Sequence, residues 1–190
     1  MTHTTDPVAL LERIYQHADS ILSQISPDQY ELPTPCTQWN VRDVVDHVTG
    51  SIYFMASAVT EDVPQAAPPA DVAATEQPAE RFRAAADLSL SVWRSPGALE
   101  GSVRLGPVEM PAQALLGLNQ FEVLTHAWDV AEGIGVDRSM DPAVAEAALA
   151  AAHMIVSDET RGDRFAPSVE IADDAPAHDR LAAFLGRRPA

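Results

Sequence analysis

The chain has one cysteine and no lysine among its 190 residues. The single cysteine, Cys36, excludes an internal disulfide and suits a reducing compartment, so a cytoplasmic location is expected. The 12 basic residues are all arginine and face 28 acidic ones, a formal charge of −16. That balance argues against nucleic acid and against anionic membrane surfaces, which need clustered cations. No apolar run is long enough to span a bilayer. The N-terminus, MTHTTDPVALLERIYQ, has no basic region followed by an apolar one, so no secretory signal is expected. There is no internal repeat and no glycine-rich phosphate loop.

What is there suits one domain over residues 1–190, with 46% apolar residues to build a core and 15 prolines to mark loops. Asp6-Pro7 starts a helix whose apolar stripe runs through Leu10, Leu11, Ile14, Ala18, Ile21 and Ile25 and ends near Ser26-Pro27. His17 flanks that stripe, and His3 lies in a tail expected to be disordered. A proline-rich loop, 27–40, carries Cys36 and Trp39. Asn40 caps a second helix with Val41, Val44, Val45, Val48, Ile52, Met55 and Val59 on one side and His47 beside them. Residues 60–79 read as a long surface connection. A third helix, roughly 79–95, turns Phe82, Ala85, Ala86, Leu88 and Val92 or Trp93 inward. SVRL and VEM around Gly106-Pro107 read as two short strands. Gly133 and Gly135 end a central helix begun at Pro111, 142–157 forms an Ala-rich helix containing His153, and 165–190 is a C-terminal extension. That extension holds an extended piece, PSVEI, and a last helix whose C-terminal dipole Arg187 and Arg188 would complement. The fold class is all-α, a four-helix bundle with extra C-terminal helices and a short β-hairpin.

The central stretch, PAQALLGLNQFEVLTHAWDVA (111–131), is apolar nearly all round, as a buried helix is. Yet Glu122 and His126 share one face four residues apart, and Asp129 follows one turn later. Burying such groups costs several kcal/mol unless they are paired. A divalent metal would pair them, because it takes a carboxylate and a neutral imidazole as ligands. A plain Glu–His hydrogen bond would also do so, and the metal reading needs a third ligand. His47 from the second helix can supply it by helix–helix packing, leaving a position for water or substrate. His17 and His153 are further candidates, each with an ordinary reading as a core or boundary histidine. Asp43 and Asp46 could hold the other ring nitrogen of His47, or be solvated. Cys36, ahead of a helix N-terminus, could be a nucleophile, a thiol-exchange site or a ligand, or a small buried hydrophobe. Trp39 is expected to pack its loop onto the bundle.

Three segments, TPCTQWNVRDVVDHVTG, FEVLTHAWDVAEGIG and FAPSVEIADDAPAHDRLAAFLGRRP, together resemble the actinobacterial metal-binding branch of the DinB/YfiT-like superfamily. That branch is similar to the N-terminal domain of mycothiol-dependent maleylpyruvate isomerase. The resemblance implies an up-down-down-up four-helix bundle and a divalent metal, often zinc, on His47, Glu122 and His126. It further implies a homodimer and a thiol cosubstrate such as mycothiol, bound through sulfur, that attacks an electrophilic carbon. Asp129 would then be a partner of a ligand histidine or a proton acceptor. The isomerase's larger C-terminal domain is not identifiable here, which turns the expectation away from maleylpyruvate itself.

Three functions follow as expectations: a thiol-dependent metalloenzyme of the transferase or isomerase type, a metal-dependent hydrolase, and a non-catalytic metal- or ligand-binding bundle. Zinc suits two imidazoles and a carboxylate, with nickel, iron and manganese as alternatives. By charge alone, Arg42, Arg81, Arg83 and Arg104 are the candidates to meet an anionic substrate.

Overall fold

The computed structural model describes residues 6–67, 78–161 and 165–189. His3 and residues 68–77 of the 60–79 connection lie outside these residues. The described chain forms α1 (Pro7–Leu22), α2 (Val41–Ser57), α3 (Pro78–Trp93), the strands β1 (Ser102–Leu105) and β2 (Val108–Pro111), α4 (Ala112–Ile134), α5 (Pro142–Ile155), α6 (Asp158–Arg161) and α7 (Ala177–Phe184). It is an all-α bundle with a short antiparallel hairpin, as the sequence predicts.

The helix starts follow their caps. Asp6 accepts from Val8 N ahead of Pro7, Asp141 accepts from Ala143 N and Val144 N ahead of Pro142, and Asn40 and Asp43 bond reciprocally at the start of α2. α4 is the axis of the molecule, with 17 of its 23 residues buried. It packs against α1 and α2 on one side and against α5 on the other, while α3 closes the ring between α1 and α2. Ion pairs across the helices fix their directions. Arg83 near the start of α3 meets Asp19 near the end of α1, and Arg94 at the end of α3 meets Glu12, so these two run antiparallel. Arg81 meets Asp46 near the starts of α3 and α2, and Ala56 clusters with Val92 near their ends, so these two are parallel. Val41 at the start of α2 lies against Gly133 near the end of α4, and His47, further along α2, meets Glu122, further back on α4, so these two are antiparallel and the order is up-down-down-up.

Apolar side chains from Val8 to Leu185 form one continuous cluster. Inside it, Tyr15 donates to Ser89 Oγ at 2.9 Å and accepts from Asn119 Nδ2 at 3.0 Å, which gives three helices one satisfied polar node. In α3, Leu90 takes the inward position expected of Leu88, and both Val92 and Trp93 are buried. The short helix α6 had no sequence signal of its own. α1 ends three residues earlier than the apolar stripe, because Ile25 already belongs to the turn that leads to Pro27.

Gly133 does not end α4. The helix continues to Ile134, and Gly135, at φ 72°, supplies the left-handed cap. Gly133 is needed for a different reason. A Cβ there would meet Pro33 O at 3.1 Å, Thr34 Cγ2 at 3.2 Å and Val41 Cγ2 at 3.3 Å, so the 30–40 loop lies directly on its backbone. That loop is pinned by the Pro33–Asn40 bridge and by Thr34 Oγ1 donating to Trp39 O at 2.8 Å. Gly133→Ala therefore gains helix propensity but overpacks a loop that cannot retreat. The expected net effect is a loss of about 1 kcal/mol, or a melting temperature lower by about 2–4 °C in a scanning calorimeter. An unchanged or raised melting temperature would mean that the loop yields.

Candidate metal centre

His47 projects from α2 and Glu122 and His126 from α4, and the three meet where these helices face each other. His47 Nε2 lies 2.9 Å from Glu122 Oε1, and His126 Nε2 lies 3.5 Å from the same oxygen. The ligand atoms of all three lie within 4.8 Å of one another. His126 is buried, and His47 and Glu122 are partly so. Trp39 lies over the His47 ring with centroids 4.3 Å apart, so the loop tryptophan is a wall of the site as well as a packing residue.

Behind His126 runs a chain of buried charge. Its Nδ1 lies 3.0 Å from Asp129 Oδ2, and an ionised carboxylate only accepts, so Nδ1 is the donor. That leaves Nε2 facing Glu122 and His47. Asp129 is completely buried, and Arg187 grips it with Nε at 3.1 Å from Oδ1 and Nη2 at 2.8 Å from Oδ2. Burial alone would raise the Asp129 pKa, but the bonds from His126 and Arg187 outweigh it and hold the carboxyl below its usual range. Burial likewise opposes ionisation of Glu122, and the two imidazoles reverse that and keep it ionised. His126, which burial would push down, is instead raised to about 9 by Asp129 and Glu122.

The cluster opens into a cavity of about 1060 Å³. Cys36 lines it, but burial and the nearby Asp129 and Glu122 charges push its thiol up, so a helix N-terminus does not make it a thiolate here. Asp43 bonds the Asn40 backbone and Asp46 bonds Arg81, so neither holds His47; Ser51 Oγ lies 3.3 Å from its Nε2. His153 is exposed and stacks on Phe184 at 4.1 Å, away from the cluster. His17 is partly buried on α1. Arg42, Arg81, Arg83 and Arg104 pair with Glu31, Asp46, Asp19 and Glu109.

Arg187 is the site residue that helix-dipole reasoning misplaced. α7 stops at Phe184, and the chain turns back so that Arg187 meets α4, not its own helix end. The signal available was Asp129 itself, a carboxylate on a buried helix that required a cation from somewhere. Arg187→Met should lower unfolding free energy by about 3–5 kcal/mol in urea titration, because it removes the bidentate cation from a buried carboxylate and leaves His126 to hold it. Adding Asp129→Asn should recover a large part of that loss. A single variant as stable as the parent would contradict the pairing.

The family model described as the mycothiol maleylpyruvate isomerase N-terminal domain matches residues 11–131, which include His47, Glu122, His126 and Asp129. Uncharacterized proteins from two strains of Mycobacterium tuberculosis, CDC 1551 / Oshkosh and H37Rv, are each 33% identical over 184 residues, covering 96% of this chain and 98% of their own length. No solved structure matches the chain significantly. The chain belongs to the family of the mycothiol maleylpyruvate isomerase N-terminal domain.

Proposed function

We propose that the chain is a divalent-metal-binding helical bundle that acts as a thiol-dependent metalloenzyme of the transferase or isomerase type. Mycothiol is the thiol to which the family description points. The observation that carries this reading is the convergence of His47 Nε2, Glu122 Oε1 and His126 Nε2 at the wall of a cavity with room for a second molecule.

The donor set fits a metal. Two imidazoles and one carboxylate are a familiar zinc set, and three protein ligands leave a position open toward the cavity. A bound ion would supply a thiolate at neutral pH by lowering the pKa of a thiol that ligates it. The chain's own residues prepare that chemistry. Asp129 accepts a hydrogen bond from His126 Nδ1, which fixes the ring with Nε2 turned to Glu122, and a metal would take the place of the Nε2 proton. Asp129 is thus a positioning residue, with its carboxylate turned to His126 and Arg187 and not to the cavity. Arg187 keeps Asp129 ionised as it does so. Trp39 covers one face of His47 and limits the rotation of the ring. Cys36 lines the cavity but is not among the residues whose ligand atoms converge. The same reading takes the protein as a cytoplasmic homodimer, in line with the family resemblance and the single cysteine.

Cobalt substitution tests the reading directly. Adding mycothiol or 2-mercaptoethanol to the cobalt-loaded protein should produce an intense near-ultraviolet sulfur-to-cobalt band. Glu122→Ala should abolish it. A cobalt spectrum that no thiol perturbs would overturn the thiol-dependent assignment.

A further inference from the structure

Two helix faces lead away from the metal-ligand cluster. On α2, His47 is followed by Ser51, Phe54 and Met55, and all four line the cavity. On α4, running the opposite way, Glu122 is preceded by Leu118 and Ala114, which line it too. Seven or eight helical residues span about 10–12 Å, so the cavity extends two turns from the charged end. The β1–β2 hairpin adds Leu105, Val108 and Met110 to its wall, and α5, held against Gly117 through Ala151 and Ile155, adds Met154.

This end of the cavity is apolar and exposed. Among the described residues the exposed large hydrophobics are Leu32, Phe54, Val108 and Met154, and three of the four line this one cavity. Met154 is 82% exposed. Apolar surface gathered at a cleft marks a ligand that covers it.

Charge narrows the class of ligand. Among the described residues the only arginine of the cavity wall is Arg187, and both of its fork arms are spent on Asp129, with Nη1 on Leu185 O at 3.0 Å. The charge of a divalent ion would be offset by Glu122 and by one thiolate. Among the described residues no cationic side chain of the wall is left without a carboxylate partner to meet an anion, and the chain as a whole carries −16.

We infer that the second substrate of this site, the molecule that meets the thiol, is uncharged and mainly apolar, its body lying along Phe54, Leu118, Val108 and Met154. The inference rests on the thiol-dependent reading for the word substrate, but the binding preference is read from the cavity alone.

Calorimetric titration of the zinc-loaded protein separates the two. The probes are dimethyl, diethyl and dibutyl succinate, which are uncharged and lack an electrophilic double bond, and ethane-1,2-disulfonate, a dianion and poor metal ligand. Affinity should rise along the ester series by about four-fold per methylene that is buried. The dianion should bind roughly ten-fold more weakly than the diethyl ester, or worse. Met154→Asp and Val108→Asp, at exposed positions that folding tolerates, should each weaken dibutyl succinate by roughly ten-fold with zinc content unchanged. A flat ester series, a dianion that binds more tightly than the esters, or variants that bind like the parent would each overturn the inference. A graded series in a protein whose cobalt form ignores thiols would uphold the apolar cavity while the thiol reading fell.

Discussion

Everything in this bundle answers to one constraint: three ionisable side chains stand on the most buried helix of the molecule. Glu122, His126 and Asp129 occupy consecutive turns of α4, and His126 and Asp129 have almost no contact with water. Isolated charges in such a place would be untenable, so each is tied to a neighbour. Glu122 takes His47 from α2, His126 takes Asp129, and Asp129 takes Arg187 from the end of the chain. The packing of α2 on α4 and the return of the chain after α7 are thus coupled to the electrostatics of a few residues on one helix.

The same arrangement aligns chemistry with shape. Because α2 and α4 run antiparallel, stepping forward from His47 and backward from Glu122 leads into the same space. Polar donors gather at one end and hydrocarbon at the other. The hairpin ahead of α4 and the end of α5 then wall the apolar part. Position along two helices, more than any loop, determines what each part of the cavity can hold. Trp39 is the loop's main contribution, and Gly133 lets that loop sit close enough to make it.

Much of this was legible in the sequence because helical periodicity and capping act locally. Asp6-Pro7, Asn40 with Asp43, and Asp141-Pro142 mark helix starts without reference to the rest of the chain. Glu122 and His126 were paired by i,i+4 spacing and burial cost, and His47 joined them as the third ligand that helix packing can supply and the family resemblance implies. Long-range partners were not legible in that way. Arg187 lies 58 residues from Asp129, and nothing near it in sequence distinguishes a buried fork from a solvated helix-end charge. Gly133 looked like a helix stop because the close approach of Pro33 is a tertiary fact. Asp46 looked available to His47 until Arg81, 35 residues away, claimed it. Cys36 shows the same limit, since its local position favours a thiolate while burial and the carboxylates across the site oppose one.

The chemistry of this bundle rests on whether the α2–α4 cluster holds a metal. Elemental analysis of the purified protein and of Glu122→Ala, each after incubation with zinc and removal of excess, tests that directly. About one ion per chain is expected in the parent, and its loss in the variant. A parent protein that retains no metal, or a Glu122→Ala variant that retains all of it, would contradict the account.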